Sequence, residues 1–378
     1  MNILVISPHG MYFDYTLSFV HHQAKAFVEA GHRVRVIVPL AIGKKSNEGR
    51  RFGPIVEHLV RDGVEICYVR HLSLSSCGSL RFNPASAKLM CRLFCASIMQ
   101  DFHPDVVYGH TIIFGGKLAP YFREKYHIPS VITTHGGDTD VSLKPQNRAK
   151  AKAICNQADA IVAVSGAYLK KTQQIGTSTR SLRILNGFAV SHLSDAEKIP
   201  HRIVQVGSLV PSKHYGDTLR AVACLRKSCP DVTLVIVGDG AERGRLEALT
   251  RELGLTDCAQ FLGHLPNEEA LAEMAKAEFF VMPSHPEGFG IVYLEAMASG
   301  CLTIGTAGEG IADVIRSGEN GFLVPPNDPN AIVKGIDWCL THPEDAAAIA
   351  ERGRKDALRL TWAHNAAQYI QLFEELRT

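Results

Sequence analysis

The sequence predicts an α/β protein with two doubly wound domains, and three observations point to this fold class. Short β-branched runs, such as Ile3–Ser7 and Val34–Pro39, alternate with amphipathic segments of helical length, which is the rhythm of a parallel sheet with crossover helices. The strand runs are unbroken rather than alternating, as in strands that helices bury on both faces. The rhythm stops at a polar stretch, SHLSDAEKIPH (191–201), and restarts at Ile203.

The predicted elements follow in chain order. The first half contains predicted strands at 3–7, 34–39, 66–69, 106–109, 131–134, 161–164 and 184–185, and helices near 17–30, 84–102, 115–126 and 145–157. The second half contains predicted strands at 203–206, 233–237, 260–262, 279–282, 302–305 and 322–324, then C-terminal helices, the last of which begins at Trp362. Gly31 is a stop signal for the first helix. Neither half has a G-x-G-x-x-G after its first strand, so a dinucleotide-binding site is not expected.

The length of the chain sets the domain organisation. At 378 residues the chain is too long for one ordinary core and suits two domains of roughly 190 residues each. We expect Rossmann-like domains at 1–190 and 191–358, and a C-terminal helix at 359–378 that packs back toward the first domain. Two similar α/β halves also suggest a ligand cleft between them.

The cysteines and the N-terminal segment indicate in which cellular compartment the protein is expected. The ten cysteines are scattered, form no C-x-x-C pair and mostly fall in apolar stretches, the pattern of small buried thiols in a reducing environment. Cys91 and Cys95 lie four apart on a predicted helix, but no second ligand pair at zinc spacing accompanies them. No basic region precedes a long apolar core, and no window reaches the ~18 apolar residues of a membrane span. We therefore expect a soluble, cytoplasmic protein.

Charge is unevenly divided along the chain. Residues 1–190 carry 23 Lys and Arg against 12 Asp and Glu, a balance of +11, whereas residues 191–378 carry 17 against 26, a balance of −9. Such asymmetry fits either an ordinary solvated surface or contact between the first half and an anionic surface, such as the inner face of a membrane. The densest basic loop holds Lys44, Lys45, Arg50 and Arg51.

The segment HPEGFGIVYLEAMASG (285–300) has the clearest chemical content. A predicted strand leads into the glycine-bearing loop 285–290, and a predicted helix follows. Anionic groups bind well at such a helix N-terminus, because free backbone N–H groups and the positive end of the helix dipole face them. Glu287 and Glu295 can both point into one cleft and accept charge-assisted hydrogen bonds from ligand hydroxyls. The alternative for these carboxylates is a capping Glu and a solvated helix Glu.

The spacing from Glu287 to Glu295, E-x7-E, resembles the signature of the retaining glycosyltransferases of family 4. Four more segments resemble that family in the same order: VGSLVPSKHYGDTLRAV (206–222), VGDGAERGRLE (237–247), FLGHLPNEEALAEM (261–274) and SGENGFLVPPNDPNAI (317–332). The resemblance covers nearly the whole second half of the chain. It implies the GT-B fold, in which two Rossmann-like domains face each other across a cleft.

The resemblance also implies roles for the residues of this motif. Glu287 is expected to contact hydroxyls of the donor sugar, and Glu295 is expected to contact the ribose. The backbone at Gly288, Phe289 and Gly290 is expected to bind the diphosphate.

One basic side chain is expected to complete the donor site. By resemblance Lys213 neutralises the diphosphate, and a cation there would stabilise the charge that gathers on the leaving group. The family often has an Arg at the position held here by Ser208, which would lie against the donor. We expect Lys213 to act with the helix terminus alone; the alternatives are compensation by Arg202, Arg243 or another basic residue, or weak activity.

A second group of candidate residues lies in the first half. THGGD (134–138) resembles the His-Gly segment of the family, which implies that His135 approaches the donor sugar across the cleft and acts in catalysis. Asp138 is a candidate contact for a sugar or acceptor hydroxyl. His110 follows a predicted strand and is a candidate acceptor contact.

The first loop, PHGMYFDY (8–15), corresponds to the family's Gly-rich loop near the donor phosphate and the acceptor. The usual paired glycine is absent, and Gly10 alone remains as a candidate donor contact. His9 and the aromatic residues of this loop are expected to shape an acceptor pocket instead.

The resemblance thus implies transfer of a sugar from a nucleotide-diphosphate donor, UDP- or GDP-linked, to a hydroxyl acceptor with retention at the anomeric carbon. The acceptor would be a glycan, a glycolipid or a lipid-linked molecule, and no cofactor, metal or nucleic-acid partner is expected. Alternatives are an inactive relative that only binds nucleotide sugar, a nucleotide-sugar epimerase of the same fold, and a two-lobed sugar-binding protein, which normally needs an export signal. Turnover assays with donor and acceptor separate the enzyme from the binders.

Overall fold

The computed structural model describes residues 1–8, 12, 18–42, 52–72, 84–190, 193 and 196–378. The chain divides into two compact units: unit 1 comprises Met1–Gly187 and Trp362–Thr378, and unit 2 comprises Phe188–Thr361. Each unit has its own sheet, with strands parallel except for one edge strand of unit 1. The predicted fold class, two doubly wound α/β domains, is confirmed.

Unit 1 is built on an eight-stranded sheet in the order β3-β4-β2-β1-β5-β6-β7-β8. Its strands are β1 (Asn2–Ile6), β2 (Arg33–Ala41), β3 (Val56–Arg61), β4 (Val64–His71), β5 (Val106–His110), β6 (Ser130–Thr134), β7 (Ala160–Ala163) and β8 (Arg180–Arg183). Its helices are α1 (Phe19–Glu29), α2 (Pro84–Leu93), α3 (Cys95–Met99), α4 (Gly116–Tyr126), α5 (Gly137–Leu143), α6 (Pro145–Cys155), α7 (Gly166–Gln173) and, from the C-terminus, α14 (Trp362–Arg377). A π-helical turn, Thr111–Gly115, joins β5 to α4.

Unit 2 is built on a six-stranded parallel sheet in the order β11-β10-β9-β12-β13-β14. Its strands are β9 (Ile199–Val206), β10 (Thr233–Val237), β11 (Ala259–Gly263), β12 (Ala277–Val281), β13 (Leu302–Thr306) and β14 (Phe322–Val324). Its helices are α8 (Tyr215–Leu225), α9 (Arg243–Glu252), α10 (Asn267–Lys276), α11 (Ile291–Ala298), α12 (Pro329–Thr341) and α13 (Pro343–Ala357). Every residue of β13 is buried, including Thr303 and Thr306.

The C-terminal helix α14 belongs to unit 1. Tyr108 donates a hydrogen bond to Gln23, Gln23 donates to Asn365 of α14, and Asn365 donates to the Leu185 carbonyl. Phe27 of α1 packs in tilted contact with Phe373, with ring centroids 5.9 Å apart. Helix α14 is therefore held to unit 1 by both a buried polar chain and aromatic packing.

Several elements differ from the sequence prediction. The edge hairpin β3–β4 turns at Asp62 and Gly63, both with positive φ, which is the Asp-Gly signal of a two-residue hairpin turn. We missed β3 because its residues alternate irregularly between buried and exposed positions. The last strand of unit 1 is Arg180–Arg183 rather than 184–185, since its polar residues lie at the sheet edge. The helix predicted near 84–102 is broken into α2 and α3.

The short helices α5 and α7 were also absent from the prediction. Each is eight residues long or less, so the apolar periodicity has little more than two turns in which to show itself. Helix α7 does carry a start signal, because the Ser165 hydroxyl accepts a hydrogen bond from the Tyr168 N–H.

The cysteines behave as small apolar residues. Cys67, Cys91, Cys95, Cys155, Cys258, Cys301 and Cys339 are buried, and each of the nine described cysteines is a free thiol. Burial raises the pKa of the Cys91 thiol to about 12. Within the described ranges there is no group of three or more His, Cys, Asp or Glu side chains that could hold a metal ion. In the same part of the chain, no helix combines the length and the apolar composition needed to cross a membrane.

Candidate functional site

The order of the strands in unit 2 brings two distant loops together. The chain leaves β9 for β10 and β11 on one side, and returns to the other side of β9 with β12. In such a sheet, the carboxyl ends of the two strands at this reversal border the crevice where ligands bind. The loop 207–214 follows β9 and the loop 282–290 follows β12. Both loops carry residues that the sequence assigned to the donor.

Lys213 and Glu287 meet at this point. The Lys213 ammonium donates a hydrogen bond to Glu287 Oε2, and the Ser284 hydroxyl donates to the same oxygen at 3.0 Å. Both charged side chains are mostly buried, with 21% and 14% of their surface exposed. Partial desolvation strengthens the attraction between them. The structure thus places both predicted residues in one cluster, but as an ion pair, which the sequence analysis had not foreseen.

The loop that carries Glu287 is anchored on both sides. On the β9 side, the His285 N–H donates to the Ser212 carbonyl at 2.8 Å. On the β13 side, Glu309 Oε2 accepts a hydrogen bond from the Glu287 N–H at 2.6 Å, and Glu309 Oε1 lies 2.7 Å from His285 Nδ1. Glu309 is 8% exposed. A buried carboxylate therefore holds the backbone of the motif residue in place.

Glu309 was missed from the sequence. It lies 22 residues after Glu287 and follows β13, whose carboxyl end borders that of β12. The signal that could have found it is its position three residues after β13, since polar residues in the loop after a buried parallel strand lie at the edge where ligands bind.

Helix α11 begins where the loop ends. Gly290 is its N-cap residue, with φ of 76° and no side chain to cap the helix, and a Cβ there would lie 2.6 Å from the Tyr293 ring. A Cβ on Gly310 would lie 2.1 Å from the Gly288 carbonyl oxygen, so the loop after β13 packs directly against the motif. The Phe289 side chain is in the core, 2% exposed. Only the backbone of Phe289 is therefore available to a ligand.

Glu295 differs from Glu287 in its surroundings. Its side chain is half-buried, and among the described residues no hydrogen-bond donor reaches its carboxylate. Burial raises the pKa of Glu295 to about 7. A half-buried carboxyl group with a raised pKa and no hydrogen-bond donor among the described residues is a candidate for a ligand contact.

The loop around Ser208 is shaped by close backbone contacts. Ser208 is exposed. A Cβ on Gly238 would lie 2.0 Å from the Gly207 carbonyl oxygen, and one on Gly240 would lie 2.5 Å from the Leu209 carbonyl oxygen. Gly238 and Gly240, which follow β10, therefore allow the close packing against the Ser208 loop.

The two basic residues suggested as substitutes for the missing Arg lie in different places. Arg202 pairs with Thr233, the first residue of β10, in the sheet register, and its guanidinium donates to Glu273. It therefore lies toward the amino end of the strands, and the suggestion that it replaces the Arg at the donor site is wrong. Arg243 opens α9 beyond the carboxyl end of β10, where it contacts Glu247 at 2.9 Å.

Unit 1 brings His110 and His135 together. His110 ends β5, His135 follows the adjacent strand β6, and His110 Nδ1 lies 2.9 Å from His135 Nε2. The Phe19 ring packs 4.9 Å from the ring of His135. Burial lowers the pKa of His135 to about 3, and it lowers the pKa of His110 well below its usual range, with a further effect of the neighbouring His135.

Two predictions in unit 1 change on this evidence. His110 is completely buried, which does not fit the predicted direct contact with an acceptor; its Nδ1 contacts His135 instead. The Asp138 carboxylate accepts hydrogen bonds from the His135 N–H at 2.8 Å and from the Ile112 N–H at 3.0 Å. Asp138 therefore braces the loop that carries His135. Burial raises the pKa of Asp138, and these backbone N–H groups partly offset the effect.

His9 and Gly10 in the first loop, and the basic loop 44–51, lie outside the described residues. Tyr12 is described, and its hydroxyl lies 2.7 Å from His21 Nδ1.

Comparisons with known proteins find relatives for both halves of the chain. The profile of the family described as "Glycosyltransferase Family 4" matches residues 18–191, and that of "Glycosyl transferases group 1" matches residues 194–356. A glycogen synthase of Mycobacterium tuberculosis is 25% identical over 360 residues, covering 90% of this chain and 85% of the relative. A GDP-mannose-dependent phosphatidylinositol monomannoside mannosyltransferase of Mycolicibacterium smegmatis is 29% identical over 293 residues, covering 71% and 77%.

Solved structures share the fold along the whole chain. Sucrose-phosphate synthase from Thermosynechococcus elongatus has a TM-score of 0.75 at 22% identity, covering 100% of this chain and 99% of that one. HepE of Anabaena, in complex with UDP and glucose, has a TM-score of 0.74 at 20% identity, with both chains fully covered.

Proposed function

Because this chain belongs to the family 4 glycosyltransferases, enzymes that use nucleotide sugars, we propose that it moves a sugar from a UDP- or GDP-linked donor to a hydroxyl acceptor with retention at the anomeric carbon. The observation that carries the proposal is the meeting of Lys213 and Glu287 beside the N-terminus of α11, at the strand reversal of the sheet. The cation and the helix terminus suit a diphosphate, and the carboxylate can accept charge-assisted hydrogen bonds from sugar hydroxyls.

The donor's diphosphate is the first part of the proposal. As the glycosidic bond breaks, negative charge grows on the leaving diphosphate, and a fixed cation beside it stabilises the transition state. Lys213 supplies that cation, and the backbone at Gly288–Gly290 supplies N–H donors. In the absence of a ligand, Glu287 neutralises Lys213, so a bound diphosphate would share the ammonium and release Glu287 toward the sugar hydroxyls. Together these groups serve where other transferases use a divalent ion, so the proposed reaction is metal-independent.

The nucleoside is the second part. The Glu295 carboxyl group, without a hydrogen-bond donor among the described residues, is proposed to accept hydrogen bonds from the ribose hydroxyls. Hydrogen bonds to the ionised form are stronger than those to the neutral form, and a pKa of about 7 places that change close to neutral pH. UDP-glucose is bound in a HepE structure, and the mycobacterial mannosyltransferase depends on GDP-mannose; these two donors head the panel to be tested.

Unit 1 is proposed to supply the acceptor side. His135 is proposed to contact a hydroxyl of the donor sugar and to act in catalysis, and Asp138 holds the backbone of its loop. The mannosyltransferase relative acts on a phosphatidylinositol mannoside. A glycan, glycolipid or lipid-linked acceptor, in cell-surface polysaccharide or glycolipid synthesis, is therefore the proposed class. The excess of basic residues in 1–190 would favour peripheral contact with an anionic membrane surface.

The proposal is tested first by ligand binding and then by turnover. Thermal shifts with UDP, GDP and their sugars identify the donor, because a ligand that binds only the folded protein raises its Tm. Transfer is then measured for the natural chain, Lys213→Ala and Glu287→Ala. Each variant should lose on the order of 100-fold in kcat, the effect of removing one preorganised charge or donor. Lys276→Ala, which removes another ion-paired lysine of unit 2, is the matched control and should retain activity.

Three outcomes would contradict the proposal in different ways. Near-normal rates in both variants would show that this cluster is not the donor site. Donor binding without turnover across the panel would identify a binding relative instead of an enzyme. Release of an altered free sugar without acceptor would identify an epimerase.

A further inference from the structure

Two histidine rings in unit 1 are joined edge to edge. His110 Nδ1 lies 2.9 Å from His135 Nε2, the ring planes differ by 16°, and the ring centroids are 5.1 Å apart. The centroid separation exceeds the N···N distance by about one ring diameter, so the rings lie side by side, nearly in one plane. The N–H of one ring then points along the lone pair of the other, which is the geometry of a good hydrogen bond.

Both rings are neutral in this environment. Burial is the main cause that lowers the pKa of each imidazole, to about 3 for His135 and well below the usual range for His110. A neutral imidazole has one N–H and one lone pair. Two arrangements are therefore open: either His110 Nδ1 donates to His135 Nε2, or His135 Nε2 donates to His110 Nδ1.

The second nitrogen of His110 distinguishes these arrangements. His110 is completely buried, the Tyr108 ring packs 4.6 Å from its ring, and His110 Nε2 has no hydrogen-bond partner among the described residues. If His135 were the donor, His110 Nε2 would carry a buried N–H with nothing to receive it. Orphaned N–H groups are rarer in protein interiors than under-satisfied acceptors. A bare Nε2 is therefore favoured, and the proton of His110 is on Nδ1.

We propose that His110 is a positioning residue that holds His135 in the tautomer protonated at Nδ1, so that His135 presents an N–H donor to a ligand. His135 Nε2 is occupied by the His110 N–H, and the hydrogen bond at one ring nitrogen sets where the other is protonated. The Asp138 carboxylate accepts hydrogen bonds from the His135 and Ile112 N–H groups. These bonds fix the backbone after β5 relative to the backbone after β6. The ligand group facing His135 is then an oxygen acceptor, such as a sugar hydroxyl, and not an ammonium group. This ligand contact rests on the proposed function; the tautomer itself does not.

The tautomer is measured directly in the natural protein. The chain is labelled with 15N in the histidine imidazoles, and NMR shows which nitrogen of each ring carries the proton at neutral pH. His110→Asn and His135→Asn spectra assign the two signals. Protonation of His135 at Nδ1 and of His110 at Nδ1 is expected. Protonation of His135 at Nε2, or an imidazolium at either position, would overturn the inference.

Variants then test whether the tautomer matters. His110→Asn retains an N–H donor near the position of His110 Nδ1. His110→Leu keeps a side chain of similar size but has no hydrogen-bond donor. Loss of the hydrogen bond should lower kcat roughly fivefold in His110→Leu, and His110→Asn should recover most of that loss. Equal loss in both variants would overturn the positioning role, as would full activity of His110→Leu.

The tautomer of His135 and the proposed sugar transfer can be tested independently. Binding of UDP to unit 2, measured by thermal shift, should be the same in both variants and in the natural chain. If no donor supports turnover, the proposed function fails while the 15N spectrum still decides the tautomer. If His110→Leu does not fold, the natural protein and His110→Asn still give both the spectrum and a rate.

Discussion

Replacing Glu295 by Gln should make unit 2 more stable at alkaline pH and weaken its binding of nucleotide. Burial raises the pKa of Glu295 from 4.5 to about 7, so the folded state favours the protonated form. Below pH 4.5 the carboxyl group is protonated in both the folded and the unfolded chain, so its burial carries no cost of ionisation and the stability of the fold is highest. As the pH rises from 4.5 to about 7, the unfolded chain releases the proton more readily than the folded chain. The free energy of unfolding therefore falls over this range.

The size of the effect follows from the gap between the two pKa values. Each pH unit between them is worth about 1.4 kcal/mol, so ionised Glu295 destabilises the fold by at most about 3 kcal/mol, an upper bound because part of the side chain is exposed. Glu295→Gln removes that cost. Its Tm at pH 8 should exceed that of the natural chain by up to roughly 6–12 °C, given 2–4 °C per kcal/mol for a domain of this size.

The assay is thermal unfolding of both chains from pH 4.5 to 8, with Glu344→Gln as the control for loss of one exposed carboxylate. The two Tm curves should meet at pH 4.5 and diverge toward pH 8. In parallel, the Kd for UDP should rise by roughly 5- to 30-fold at pH 8, because a charged acceptor is replaced by a neutral one. Parallel Tm curves, or a Glu344→Gln difference of equal size, would refute the burial of Glu295. Unchanged UDP affinity would refute its contact with the ribose.

The packing of the motif loop leads to two further predictions. Glu309→Ala leaves the Glu287 N–H without its acceptor and should lower kcat/KM for the donor roughly tenfold, whereas Glu309→Gln, which can still accept that hydrogen bond, should lose less; equal losses would argue against the brace. Gly310→Ala places a methyl group 2.1 Å from the Gly288 carbonyl oxygen and should cost about 1–3 kcal/mol in urea unfolding along with UDP binding. Gly244→Ala, in a helix with no atom within 4 Å of the new methyl group, should be neutral or stabilising by up to about 1 kcal/mol, and a similar loss there would contradict the close-contact argument.

Local patterns predicted the elements that bury most apolar surface. The strand runs around Ile3, Val131 and Leu302 were placed correctly, because each is a short run of aliphatic and β-branched residues without charge, which is typical of a buried strand. The edge strands β3 and β8 were missed or misplaced, because an edge strand faces solvent and its side chains no longer follow the core pattern. The Asp62–Gly63 turn was readable from its dipeptide and was overlooked.

The residues of the candidate site also fall into two groups, those predicted from the sequence and those that only the structure brought together. The sequence by itself determined that a strand, a glycine-bearing loop and a helix carry Glu287 and Glu295, since these lie within one short segment whose spacing is local. Only the tertiary structure decided that Lys213 pairs with Glu287, that Glu309 holds the same loop, and that Arg202 lies away from it. The physical reason is strand order: β12 returns beside β9, with β13 next to it, and this joins loops that lie far apart in the chain.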